Sequence, residues 1–442
     1  MKVEVEITSE EYIKPSSPTP QHLRHLHYSF LDQLQPHSFV PLLHFYSPKP
    51  SINTSETCNI LKKSLSKVLT IFYPLAGRVN NTAYIDCNDQ GILFIEAKTN
   101  CQISEILRNK NPYNNSDFIP CQQLEKAGDL AAFAQVTLFK CGGLVISFSM
   151  SHKIGDGLSM FTFLQSWGAV TATGITHIIK VPPFGSTSLF PPIDFSGSDP
   201  TTQIMKENPE KVVTKLFMFD ATTLSALKTK YNSSDRSRTN WSRVEALVSF
   251  IWSRFTTTIK ADKNRRYRLL QAVNLRGRME PPLPMLSFGN YAIGNVEDMN
   301  NEDDDGIVKR VADSTRNVKV EYIKMLQNKE EQSKYFKRVI EDFSREDVVT
   351  FSLSSVQYFP VYETDFGWGK PLWVATTPAP RENLALLFPT KDRLGIEAWV
   401  CLKEEDMAVF ELHNYLVSST QQNINPPFVS PNLKLPTIHS RL

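Results

Sequence analysis

Leu61, Leu65, Val68, Leu69 and Phe72 recur at the three- and four-residue steps of a helix face, and Pro74 with Gly77 closes the run. The pattern predicts a helix ending before Pro74, with Lys62, Lys63 and Lys67 projecting from its other side. Further on the period changes. Phe133 to Phe139 reads as a strand, Gly142-Gly143 as a turn, and Ile146, Phe148 and Met150 as one face of a returning strand. Helical spacing resumes with Leu158, Phe161, Leu164 and Trp167, with Phe163 beside them. His152 therefore falls at a strand-to-helix junction, where rigid elements on both sides present a short exposed segment.

The Pro- and Gly-rich stretch from Pro182 to Pro200 reads as a crossover between two units. A second alternation follows: a strand around Lys215 to Asp220, a helix carrying Val244, Leu247, Val248 and Ile251, and a strand around Leu269 to Leu275. Later strands are expected at Leu372 to Thr376, Leu384 to Leu387 and Ile396 to Val400. Glu302-Asp-Asp-Asp305 reads as an acidic surface loop, and beyond about Val417 the Pro-, Asn- and Ser-rich sequence is not expected to pack. A chain of 442 residues exceeds what one core ordinarily organises. The layout expected is an N-terminal unit over 1–190, a crossover over 191–212, a C-terminal unit over 213–420 and a flexible tail over 421–442.

Composition narrows the class of function. With 41% hydrophobic residues, 21% charged residues and a formal net charge of +2, the chain is neither disordered nor polyanion-binding in character. Arg265, Arg266 and Arg268 read as a local solvated cluster, so no nucleic-acid partner is expected. The six cysteines, Cys58, Cys87, Cys101, Cys121, Cys141 and Cys401, contain neither a close metal-binding pair nor a Cys-x-x-Cys motif, which favours a reduced compartment. Glu4, Glu6, Glu10 and Glu11 interrupt the first residues, so neither a secretory signal nor membrane insertion is expected. Cytoplasmic residence follows, with a peroxisomal address as the alternative, because Ser440-Arg441-Leu442 is one conservative change from Ser-Lys-Leu.

Candidate chemistry centres on Ser151-His-Lys-Ile-Gly-Asp-Gly157. A neutral imidazole, with an ordinary pKa near 6.5, can take a hydroxyl proton around neutral pH and hand it on to a leaving group. Gly155 and Gly157 favour a tight junction over regular helix, so the side chains of His152 and Asp156 are free to diverge. Asp156 then has two candidate roles: orienting His152, or turning away to pair with an arginine that fixes the loop. His22, His25, His27, His37, His44, His177, His413 and His439 form no second cluster beside the motif, and no metal is expected. The absence of a Gly-x-Ser-x-Gly elbow disfavours a covalent serine mechanism.

His152-Lys-Ile-Gly-Asp156 together with Asp365-Phe-Gly-Trp-Gly369-Lys-Pro371 resembles the paired motifs of the plant BAHD acyltransferases. Leu31-Asp-Gln-Leu34, Phe72-Tyr-Pro-Leu-Ala-Gly-Arg78, Ser242-Arg-Val244, Asn274-Leu-Arg-Gly-Arg-Met279 and Gly289-Asn290 extend the likeness over nearly the whole chain. The resemblance implies an α/β fold of two similarly built chloramphenicol-acetyltransferase-like domains with a central solvent channel. It implies His152 as general base and Asp156 as structural support paired with Arg276, an Arg276–Asp365 pairing being the alternative. Asp365, Gly367 and Gly369 are implied to be structural, Trp368 is a candidate indole donor to the developing oxyanion with a structural role as the other reading, and Ser242 with Arg243 are candidate contacts for the phosphates of CoA, with a surface or helix-capping role as the other reading. No tightly bound cofactor is implied. Acetyl-CoA is the expected acyl donor, a small-molecule hydroxyl the acceptor, and a monomer the expected state.

Within the family the likeness is to the branch that acetylates bulky alkaloid or terpenoid alcohols. One departure is Ser355-Val-Gln-Tyr-Phe359, where that branch often carries Ser-Trp-Cys-Arg. A hydroxycinnamoyl-type O-acyltransferase, an N-acyltransferase and an inactive small-molecule-binding homologue are the alternative readings.

Overall fold

Ala132–Phe139 and Leu144–Ser151 form the hairpin that the alternating pattern predicts, turning at Gly142, whose φ of +81° suits a residue without a Cβ. The two strands lie inside a six-stranded sheet whose order is Val5–Ile13, Ile92–Thr99, Ala132–Phe139, Leu144–Ser151, Phe39–Tyr46 and Trp373–Ala375. The structure, a computed structural model, describes residues 3–48, 54–80, 83–119, 127–184, 186–194, 211–234, 240–259, 264–299, 304–345 and 347–420. The tail with Ser440-Arg441-Leu442, Cys121 and most of the expected crossover lie outside the described residues.

Both faces of this sheet are covered. Ile146, Phe148 and Met150 are fully buried on one side, where Phe148 stacks on Phe163 of the helix Gly157–Thr173, with ring centroids 4.7 Å apart. The helix Thr54–Ile71 packs beside that helix and buries Leu61, Leu65, Val68 and Leu69 as its spacing predicts. Lys62 does not simply project into solvent; it bridges Glu11 and Glu96, tying the helix to the edge strand Val5–Ile13 and its neighbour Ile92–Thr99. Strand alternation puts Ser147, Ser149 and Ser151 on the opposite face, and they are equally buried.

A second six-stranded sheet runs in the order Ala292–Asp298, Arg266–Asn274, Val348–Ser355, Leu384–Pro389, Ile396–Lys403 and Val212–Phe219. The helix Arg243–Thr258 lays Leu247, Val248, Ile251 and Phe255 on it, and Phe255 meets Phe351 at 4.6 Å between centroids. The chain is thus an α/β protein. The helix Asp304–Arg316 takes up the end of the acidic stretch read as a loop, and the helix Glu404–Thr420 runs past Val417.

One assignment is corrected. The strand Trp373–Ala375 and the Asp365-to-Pro371 block before it belong by sequence position to the C-terminal unit, yet the strand pairs antiparallel with Phe39–Tyr46 in the first sheet. Val361, Tyr362 and Phe366 likewise join the N-terminal core. Aromatic packing accounts for the placement: Phe45 stacks on Trp373 at 5.2 Å, and Trp373 stacks on Trp399 of the second sheet at 6.1 Å. The Trp373 indole also donates to the buried carboxylate of Glu397. This crossing segment fastens one sheet to the other.

Candidate active site

Ser151 ends its strand, His152 to Ile154 turn, and Asp156 caps the helix Gly157–Thr173 by accepting from the Ser159 backbone N–H at 3.0 Å. Gly155 is tightly seated, since a Cβ there would stand 2.9 Å from the Ser159 Cβ. The backbone of His152 is pinned at both ends. Its N–H donates to the Ser38 carbonyl at 2.8 Å, and its carbonyl accepts from the Asn290 side-chain amide at 2.8 Å.

Asp156 faces away from the imidazole. Its Oδ2 accepts from Arg276 Nη1 at 2.7 Å and from the Tyr291 N–H at 3.0 Å. Its Oδ1 accepts from Arg276 Nη2 at 3.0 Å and from both the N–H and the hydroxyl of Ser159. Burial works to raise the Asp156 pKa, but the Arg276 charge and these hydrogen bonds outweigh it and hold the carboxyl below its ordinary value. Arg276, 0% exposed, spends its remaining donors on the carbonyls of Ser287 and Gly289 and on Asn274 Oδ1, and its guanidinium lies 4.9 Å from the Tyr291 ring centroid. Of the two roles open to Asp156, the structure selects loop support, and it pairs Arg276 with Asp156 rather than with Asp365.

The electrostatics of His152 follow from this. Burial lowers its pKa below 6.5, opposed by its own backbone carbonyl, the Asp156 charge and the Asn290 side chain. The imidazole is therefore neutral at neutral pH, the form a base requires. The residue keeps some accessible surface, while its Nδ1 is enclosed. Among the described residues no group of three or more His, Cys, Asp and Glu is placed to hold a metal ion, and no helix is long and apolar enough to cross a membrane.

The second motif stands apart from the first. Asp365 Oδ1 accepts from the N–H groups of Gly367 and Gly369, whose φ values of +97° and +101° make a turn suited to glycine. A Cβ on Gly367 would come 3.2 Å from the Ala172 Cα, so the turn sits directly on the helix Gly157–Thr173. Phe366 packs edge-on against Trp167, and Trp368 lies 6.0 Å from the Tyr46 ring centroid. Register then decides the fate of Trp368. Tyr46 pairs with Leu144, whereas Phe39 pairs with Ser151 beside His152. Seven steps at ~3.3 Å separate those ends by about 23 Å, beyond the reach of an indole N–H, so Trp368 is removed from the oxyanion role. Trp368→Phe is accordingly expected to leave kcat within about threefold in a steady-state assay; a true oxyanion donor would cost about 100-fold or more.

Ser242 and Arg243 stand at the start of a helix of the second sheet. The Ser242 hydroxyl caps the helix Arg243–Thr258 in a reciprocal arrangement with Glu245, and Arg243 donates to the carbonyls of Arg393 and Leu394. Sequence reading gave no role to Asp32, Ser159, Ser287, Asn290 or Tyr291, although all bind the catalytic loop or its support. Leu31-Asp-Gln33 and Gly289-Asn290 were the signals available for two of them.

The Transferase family profile matches residues 3–417. Stemmadenine O-acetyltransferase of Catharanthus roseus is 37% identical over 425 residues, covering 92% of this chain and 96% of its own length. Limonoid 1-O-acetyltransferase of Citrus sinensis is 35% identical over 431 residues, covering 92% and 96%. The crystal structure of vinorine synthase superposes with a TM-score of 0.76 at 34% identity, over 92% of this chain and 96% of that one. With the His152-to-Asp156 and Asp365-to-Gly369 motifs both in place, the chain belongs to the BAHD family of acyl-CoA-dependent acyltransferases, in the branch that holds vinorine synthase.

Proposed function

We propose that this enzyme transfers an acetyl group from acetyl-CoA to a hydroxyl of a bulky alkaloid or terpenoid, with His152 as general base. The observation that carries the reading is His152, anchored through its backbone by Ser38 and Asn290 at the strand-to-helix junction, beside an Asp156 wholly engaged by Arg276, Ser159 and Tyr291. In the proposed reaction His152 takes the acceptor hydroxyl proton as the oxygen attacks the thioester carbonyl. The tetrahedral intermediate then collapses, the C–S bond breaks, and the CoA thiolate recovers the proton from the imidazolium. No acyl-enzyme forms. Both substrates are proposed to meet between the two sheets, in a central channel where bulk water is kept from the thioester.

Donor and acceptor follow from the relatives, whose names place acetyl groups on stemmadenine and on limonoids. On the acceptor side Phe359 packs against Phe161, and its ring would stand 3.6 Å from a Cβ on Gly157, which sets the divergent Ser355-to-Phe359 stretch beside the catalytic junction. Arg243 is exposed next to the Arg393–Leu394 turn and is the proposed contact for CoA phosphates, with Ser242 as its helix cap. Cytoplasmic residence is proposed, with the Ser440-Arg441-Leu442 address as the alternative. The test is a screen of acyl-CoA donors against alkaloid, terpenoid, phenolic and amine acceptors with mass detection. An acetyl ester of an alkaloid or terpenoid alcohol should dominate; a preference for hydroxycinnamoyl donors or amine acceptors would refute the reading.

A further inference from the structure

Two stretches of the chain carry no negative charge: residues 157–193 contain neither Asp nor Glu, and neither do residues 281–296. The fold lays the end of one beside the other. The Phe288 N–H donates to the Pro183 carbonyl at 3.2 Å, Phe184 and Phe288 form a parallel bridge, and their rings lie 5.4 Å apart. Phe288 belongs to the N-terminal core and Phe184 packs against it, so these loops are held firmly from behind.

Their outer side is apolar. Ile175, Ile178, Val181, Met285 and Leu286 are between 36% and 69% exposed, and five aliphatic side chains on two adjoining loops make a patch rather than the scatter ordinary on a protein surface. Lysines border it. Lys180 is exposed between Ile178 and Val181, and Lys67 donates to the Gly174 carbonyl at 3.2 Å, which brings the cationic face of the helix Thr54–Ile71 to the start of the first loop. Lys63 stands one turn earlier on that face. The acids at the margins are engaged: Glu280 pairs with Lys324, Glu363 pairs with Lys370, and Asp365 Oδ1 accepts two backbone N–H groups.

We infer that this face is a docking surface for an anionic lipid bilayer, seating the exposed aliphatic side chains at the headgroup level while Lys63, Lys67 and Lys180 meet the lipid phosphates and carboxylates. Aliphatic tips beside lysines, with no acid between them, match the apolar and negative layers of a membrane interface at once. Pro182, Pro183, Pro281, Pro282 and Pro284 stiffen the loops and remove backbone N–H groups, which suits them poorly to pairing with a protein strand. The contact is peripheral, since among the described residues no helix is long and apolar enough to cross a membrane. It does not depend on which acceptor is acetylated.

The test is co-sedimentation of the full chain with phosphatidylcholine vesicles containing about 30% phosphatidylserine, against vesicles of phosphatidylcholine alone. The wild type should pellet with the anionic vesicles, less so as salt rises. The double variant Ile178→Ser, Val181→Ser and the single variant Lys180→Glu should each weaken binding on the order of tenfold. All three side chains are exposed and lie outside the catalytic machinery, so melting temperature and acetyl transfer to a water-soluble acceptor should be unchanged. No pelleting, equal pelleting with neutral and anionic vesicles, or full binding by both variants would overturn the inference. So would a wild type that binds no lipid but forms a dimer that the double variant loses, because the patch would then be a protein contact.

Discussion

His152→Ala should lower kcat about 1000-fold, in the middle of the range for losing a general base, with KM for acyl-CoA within about threefold. No neighbour can substitute, because the Asp156 carboxylate is saturated by Arg276, Ser159 and Tyr291. Steady-state kinetics across pH adds a second check. Burial lowers the His152 pKa, so the wild-type acid limb of kcat/KM should lie below the ordinary value of 6.5. Above that limb the imidazole is neutral and active; below it the ring is protonated and the base is lost. Wild-type rates in the alanine variant, or an acid limb above 6.5, would contradict the assignment.

How far the sequence reaches is clear from particular residues. His152 was legible because alternation in Ile146, Phe148 and Met150 gives way to helical spacing after Leu158, leaving a polar residue at the junction. The Asp156–Arg276 pair was legible only as one of two pairings, since a span of 120 residues carries no local signal of which carboxylate the arginine meets. Asn290 was read as a motif without a role; its contact with the His152 carbonyl spans 138 residues and depends on how two loops face each other. Trp368, open to a packing role or a donor role, is the opposite case. A motif that accompanies catalysis in sequence suggests proximity to the reacting atoms, but strand register puts it at the far end of Leu144–Ser151. The three-residue strand Trp373–Ala375 has too little pattern to declare its sheet, which is set by stacking on Phe45 and Trp399.

Asp156→Ala should destabilise the protein by about 3–5 kcal/mol, read as a fall in melting temperature, because it strands the guanidinium of Arg276 without a counter-charge. Arg276 is 0% exposed and Asp156 only 7%, so water cannot replace the lost partner. The amides of Ser159 and Tyr291 lose their acceptor in the same step. Asp156→Asn keeps the shape and one acceptor but removes the charge, and should fall between wild type and alanine. The linkage has a definite sign: a carboxyl whose folded pKa is depressed contributes stability that is fully present above its unfolded value near 3.9 and is lost as pH falls through the folded value. Melting curves of wild type and Asp156→Asn should therefore converge as the pH drops below about 4. Activity measured well below the melting transition should still fall in both variants, since the residue that caps the helix also fixes the turn bearing His152. Equal melting temperatures for wild type and Asp156→Ala at neutral pH would mean that the ion pair does not support the loop, and the division of labour between His152 and Asp156 would have to be redrawn.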